Sequence, residues 1–144
     1  MVLGEHTGII YNNEMDDFSI GDKSNYYGLS GSSPLNKISP GKRPLSSQTP
    51  LIVIDNKENI RLVLGGSGGT KIITSVAQVA LLNLIFNQNI KEAIDYPRLH
   101  HHLSPNRIVY EQTFNQVNRF SFEKETRRKL FVSGYSKWAS TSGT

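Results

Sequence analysis

Leu62-Val-Leu-Gly-Gly-Ser-Gly-Gly-Thr70 leads directly into Lys71-Ile-Ile-Thr-Ser-Val-Ala-Gln-Val-Ala-Leu-Leu-Asn-Leu-Ile-Phe86. An apolar, strand-like run stops at a turn dense in glycine and then becomes a helix. Glycine has no Cβ, so its backbone can approach a ligand closely and present bare N–H groups. A helix that starts at such a turn adds unpaired N–H donors and partial positive charge. The combination suits an anion or an oxyanion. Local sequence leaves a second reading equally open, a tight strand-to-helix turn with no ligand.

Nucleotide phosphate fails at defined positions. A phosphate loop carries Lys-Ser/Thr after its last glycine, whereas Gly69 is followed by Thr70 and Lys71, the reverse order. The dinucleotide fingerprint needs a third glycine three residues after the second. Counted from Gly66 and Gly68, that position is Lys71.

On the N-terminal side of the turn, Leu51-Ile-Val-Ile54 reads as a buried strand, residues 55–59 as a polar loop and Ile60-Arg-Leu-Val-Leu64 as the return strand, together a β-hairpin. On the C-terminal side, apolar residues at 73, 76, 77, 80, 81, 84 and 85 follow the spacing of one buried helix face. Val79, Leu82 and Phe86 widen that stripe, so the helix is expected to be covered on most sides. A short helix follows at Lys91-Glu-Ala-Ile-Asp95, ended by Pro97. Next comes Arg98-Leu-His-His-His102. Neighbours on a strand point to opposite faces, so at most His100 and His102 could share an ion. No acidic or cysteine partner lies nearby in sequence, and no metal is assigned. Arg107-Ile-Val-Tyr110 is a further strand candidate, residues 115–133 read as a helix stopped by Gly134, and residues 135–144 read as a disordered tail.

Further out, Thr7-Gly-Ile-Ile-Tyr11 is a short β-like run that leads into Asn12-Asn-Glu-Met-Asp-Asp-Phe-Ser19. The carboxylates Glu14, Asp16 and Asp17 are closely spaced and could hold a hard cation. The alternating acids, central glycine and closing Glu of a calcium loop are absent, however. A charged surface loop and an anionic pocket for an ammonium group remain. Residues 21–50 are loop-like, rich in Gly, Ser, Asn and Pro, and end in Pro44-Leu-Ser-Ser-Gln-Thr-Pro50. Ser46 and Ser47 could donate two hydrogen bonds to a carboxylate, or serve a turn.

Composition bounds these readings. A chain of 144 residues holds at most one domain. It contains no cysteine, which excludes a disulfide framework and a thiolate nucleophile. The net charge of +4 is mild. The one basic cluster, Arg127-Arg128-Lys129, follows Glu123 and Glu125 in a charge order that complements a helix dipole, so no nucleic-acid partner is assigned. No signal peptide stands at Met1, and the run near residues 72–86 is broken by polar residues and short of the ~20 apolar residues of a membrane span.

Asn12-Asn-Glu-Met-Asp-Asp-Phe-Ser19, Pro40-Gly-Lys-Arg-Pro-Leu-Ser-Ser47, Gly68-Gly-Thr70 and Pro97-Arg-Leu-His100 together resemble the small subunit of γ-glutamyltransferase (γ-glutamyl transpeptidase, glutathione hydrolase). Order and spacing match over roughly residues 7–112. The resemblance implies an α+β fold, the αββα sandwich of the N-terminal-nucleophile hydrolases, present only in part over residues 1–134. It implies a γ-glutamyl-enzyme ester, formed on an N-terminal threonine and resolved by water or by an acceptor amino acid or dipeptide. Glutathione and related γ-glutamyl compounds would be the substrates, no cofactor would be needed, and the large subunit of the same precursor would be the partner. Glu14 and Asp17 match positions that hold the substrate α-ammonium, Ser46 and Ser47 match positions that hold its α-carboxylate, and Gly68 and Gly69 match the oxyanion hole. No threonine of this chain stands in the family's nucleophile context, so the chain reads as a C-terminal fragment that is inactive alone. The competing expectation is a non-catalytic remnant that binds glutamate-like ligands or pairs with a complete subunit. The family places the protein on the extracellular face of the plasma membrane or in the periplasm.

Overall fold

The computed structural model describes residues 2–24, 31, 33–103, 106–114 and 130–132, the last three by their backbone alone. It divides into two units, residues 1–46 and 47–144.

The first unit is mostly irregular, as its Gly-, Ser- and Pro-rich sequence predicts. β1 (Val2–Leu3) and β2 (Ile10–Tyr11) form a small antiparallel pair. Thr7 belongs to the connecting turn, where its Oγ1 accepts the N–H of Ile9 at 3.3 Å. The β-like run therefore shortens to its last two residues. Glu14–Asp17 and Pro34–Asn36 each form one 3-10 turn. They meet at Asn36, which is buried. Its Nδ2 donates to the Asp17 carbonyl at 2.8 Å, and its Oδ1 accepts the N–H of Leu45 at 2.9 Å. The N–H of Ser19 closes the clasp on the Asn36 carbonyl at 2.9 Å.

The second unit holds the ordered core. β3 (Leu51–Ile54) and β4 (Ile60–Leu64) form the expected antiparallel hairpin, pairing Leu51 with Leu64 and Val53 with Leu62. In its loop, one Asp55 oxygen accepts the N–H groups of Lys57 at 2.8 Å and Asn59 at 2.9 Å. These bonds, led by the one from Asn59, hold the Asp55 carboxyl below its usual range. β3 differs from the fully buried strand expected. Leu51 and Val53 turn inward, while Ile52 and Ile54 are exposed. Successive side chains of a strand face opposite ways, and within this unit one face of the hairpin is packed.

α1 spans Lys71–Leu84 and ends where Asn87 adopts the left-handed conformation, φ 56°. Its packed face is rotated from the expected one. Ile72, Ser75, Val76 and Val79 are buried, whereas Ile73, Leu81, Ile85 and Phe86 are exposed. Val76 belongs to the apolar set read from sequence and Val79 to its widening, whereas Ile72 lay outside both and the helix is not covered on most sides within this unit. α2 (Ile90–Asp95) starts with a capping box, in which Asn89 Oδ1 accepts the Glu92 N–H and Glu92 reaches back to the Asn89 N–H. Leu62, Leu64, Ile72, Val76, Val79 and Ala93 make up the core between hairpin and helices.

β5 (Leu99–His101), β6 (Ile108–Tyr110) and β7 (Leu130–Val132) form a second sheet, β5 antiparallel and β7 parallel to β6. Residues 130–132 thus leave the helix read over 115–133, because pairing with β6 satisfies their backbone and overrides the local pattern. The rest of that segment, Gly134 and the tail at 135–144 lie outside the described residues. Among the described residues no helix is long and apolar enough to cross a membrane.

Candidate functional site

The glycine turn sits between β4 and α1 as the sequence predicts. Gly68 and Gly69 have φ of 128° and 60°, conformations that L side chains rarely adopt. Both positions thus need glycine for backbone reasons alone. The turn closes when Lys71 N–H donates to the Gly68 carbonyl at 3.3 Å and Ile72 N–H to the Gly69 carbonyl at 3.0 Å. These bonds use the two glycine carbonyls. The N–H groups of Gly68 and Gly69 enter none of the turn's hydrogen bonds among the described residues. Such donors at the start of a 14-residue helix are what an oxyanion requires. Lys71, the first residue of α1, has an ammonium pushed below its usual range by burial, with Glu111 opposing the shift.

Two polar residues of α1, Thr74 and Gln78, dock β5. Gln78 Nε2 donates to the Pro97 carbonyl at 2.9 Å, and its Oε1 accepts the Leu99 N–H at 3.1 Å. One turn earlier, Thr74 Oγ1 lies 2.9 Å from His100 Nδ1. Below them, Arg98 and Glu111 form an almost fully buried ion pair, with Nη2 2.9 Å and Nε 3.1 Å from Glu111 Oε1. The backbone N–H of Arg98 donates to the other carboxylate oxygen at 3.2 Å, and Glu111 N–H returns a bond to the Arg98 carbonyl.

His100 and His102 share one side of the strand, as alternation predicts. Their ring nitrogens Nε2 and Nδ1 are joined by a 2.8 Å hydrogen bond, which occupies atoms an ion would need. Among the described residues no group of three or more His, Asp or Glu side chains could hold a metal.

In the first unit, Glu14 and Asp17 stand at the two ends of one 3-10 turn, Glu14 exposed and Asp17 half-buried. Glu14 N–H donates to Asn12 Oδ1 at 3.0 Å, which starts the turn. Ser46 is exposed at the end of that unit, and Ser47 opens the second unit with its carbonyl accepting the Thr49 hydroxyl at 3.0 Å. Asn36 ties the Asp17 carbonyl and the Leu45 N–H to one side chain, so the acidic turn and the approach to Ser46 are held together. Sequence reading missed Asn36 because a lone Asn in a loop carries no periodic signal. It missed Thr74 and Gln78 as well, although two polar residues four apart inside an apolar helix were a usable sign.

Comparison with known proteins agrees with this architecture. The gamma-glutamyltranspeptidase family model matches residues 1–141. Scoloptoxin SSD20 of Scolopendra dehaani is 45% identical over 129 residues, which cover 90% of this chain and 61% of the toxin. Glutathione hydrolase proenzyme 1 of Schizosaccharomyces pombe is 43% identical over 112 residues, 78% of this chain and 18% of the relative. This chain therefore spans less than two thirds of either relative. Among solved structures, a mutant of the Helicobacter pylori gamma-glutamyltranspeptidase superposes with a TM-score of 0.84 at 34% identity, covering 94% of this chain and 71% of that one. An acivicin-inhibited gamma-glutamyltranspeptidase gives the same TM-score at 35% identity, covering 92% and 70%. The hairpin, glycine turn, helices and second sheet are thus part of the αββα sandwich of the N-terminal-nucleophile hydrolases. The chain belongs to the gamma-glutamyltranspeptidase family.

Proposed function

We propose that this chain supplies the oxyanion donors and the amino-acid-recognising residues of an enzyme that hydrolyses or transfers the γ-glutamyl group of glutathione and related compounds. The observation that carries the reading is the glycine turn, where Gly68 and Gly69 use their carbonyls to start α1 and keep their N–H groups out of the turn's own bonds. Two N–H donors at a helix start stabilise the charge that develops on a carbonyl oxygen under nucleophilic attack, and loss of one typically costs on the order of 10²–10³ in turnover.

The remaining roles fit the chemistry of each group taken separately. Glu14 and Asp17 supply carboxylates for an α-ammonium. Ser46 and Ser47 supply adjacent hydroxyls for an α-carboxylate. The relatives named glutathione hydrolases support glutathione as the donor substrate. Acceptor amino acids or dipeptides, the large subunit of the same precursor as partner, and a location on the extracellular face of the plasma membrane or in the periplasm belong to the same proposal.

Two measurements test it. The purified 144-residue chain, given a γ-glutamyl anilide, is expected to show no turnover above a heat-killed control; turnover would overturn the inactivity of the chain alone. Titration with L-glutamate is expected to shift the backbone NMR signals of Asp17 and Ser47. Asp17→Asn should weaken that binding about tenfold or more, as loss of a charge-assisted hydrogen bond of about 1.5–3 kcal/mol would. Wild-type signals that stay still at saturating glutamate would overturn the roles of Asp17 and Ser47.

A further inference from the structure

Thr74, His100 and His102 form a chain of hydrogen bonds whose direction can be read from its ends. Thr74 Oγ1 lies 3.1 Å from the Lys71 carbonyl, which can only accept, so the hydroxyl proton goes there. Thr74 Oγ1 must then accept from His100 Nδ1, 2.9 Å away. That places the His100 proton on Nδ1 and leaves Nε2 as an acceptor, which takes the Nδ1–H of His102 at 2.8 Å. His102 Nε2 is left as a lone pair, buried and without a partner among the described residues. The opposite order would leave an N–H buried at that atom, the costlier arrangement.

The chain ends on the helix turn that builds the glycine site. The Lys71 carbonyl accepts from Thr74, while the Lys71 N–H holds the Gly68 carbonyl at 3.3 Å. The same peptide unit region is thus gripped from β5 through His100 and from the glycine turn through Gly68.

We propose that His100 is a positioning residue for the oxyanion donors, holding the first turn of α1, and through it Gly68 and Gly69, by a tautomer-ordered bond to Thr74. This rests on the reading of Gly68 and Gly69 as oxyanion donors. The order requires a neutral His100 ring. A proton on His100 Nε2 would face the Nδ1–H of His102 and force that ring to reverse. The surroundings keep His100 neutral. It is only 3% exposed, and burial first, then His102, Lys71 of α1 and His101, hold its imidazolium form off until about pH 4. Glu111, beyond the end of β6, is the acidic group facing Lys71.

The test uses the isotope-labelled 144-residue chain with no ligand. At neutral pH, nitrogen NMR is expected to find His100 and His102 both protonated on Nδ1. On acidification, the amide signals of Gly68, Gly69 and Lys71 are expected to move with the His100 ring, at the same midpoint near pH 4. His100→Asn keeps an N–H for Thr74 but cannot take a proton. It should preserve the neutral-pH glycine signals and abolish that pH step, whereas Thr74→Val should shift the glycine signals at neutral pH. A proton on His100 Nε2, glycine signals that ignore the His100 titration, or a step that persists in His100→Asn and so belongs to a carboxylate would each overturn the proposal. The tautomer measurement needs no variant to fold. Because no substrate is present, failure here is distinguishable from failure of the γ-glutamyl reading, which the glutamate titration reports.

Discussion

At the scale of single residues, backbone conformation and buried polar bonds are the strongest constraints. Gly69 at φ 60° can be compared with Gly65, where a Cβ would meet open space and φ lies outside the left-handed region. Gly69→Ala is expected to lower stability by about 1–2 kcal/mol and Gly65→Ala to leave it nearly unchanged, as read by urea denaturation. Asn36 bonds a carbonyl and an N–H from distant parts of the first unit. Asn36→Leu should cost about 1–3 kcal/mol for the buried groups it orphans and should release the Leu45 amide to faster hydrogen exchange. Unchanged exchange would remove Asn36 from the clasp. The Arg98–Glu111 pair behaves differently. Its Nη1 is buried and has no partner among the described residues, so the guanidinium is incompletely satisfied. Arg98→Met alone should cost about 3–5 kcal/mol by stranding Glu111, while Arg98→Met with Glu111→Leu should recover most of the loss.

At the scale of elements, helix and hairpin exist because their patterns are strong, but the packed faces follow from their neighbours. β3 and β4 pair Leu51 with Leu64 and Ile52 with Val63, and alternation makes Leu64 inward and Ile52 outward. Leu64→Ala should cost about 2–5 kcal/mol and Ile52→Ala a small fraction of that, compared by thermal melting. Equal losses would mean that the exposed hairpin face is covered in solution. For α1, apolar residues surround so much of the helix that several stripes compete. The one chosen places Val76 and Val79 in the core and turns Thr74 and Gln78 toward β5, where their polar groups find partners. A stripe through 73, 77 and 81 would have wasted those hydrogen bonds.

At the scale of the molecule, acid sensitivity follows from buried histidine. The His100 pKa is about 4 in the folded chain against an ordinary 6.5. The unfolded chain therefore takes up the proton first as pH falls. This ring leaves stability untouched above pH 6.5 and lowers it progressively between 6.5 and about 4. Denaturation midpoints measured across that range should decline, and His100→Asn should flatten the decline. A wild-type curve flat from pH 7 to 4.5 would count against the buried neutral ring.

The resemblance, the hairpin, the glycine turn and the start of α1 were all legible in the order of residues. Each is a local matter: turn chemistry, alternation and helical spacing act within a few positions, and the motifs that carry the family likeness are contiguous. The strand at residues 130–132, the rotation of α1, the burial of Arg98 against Glu111 and the His102–His100–Thr74 chain were not legible. These depend on partners 13 to 26 residues away in the case of the ion pair and the Thr74–His100 bond. A polar side chain has no fixed spacing to a partner on another element, so only packing could select which of Thr74, Gln78 and Asn83 would face β5 and which histidine nitrogens would carry the protons.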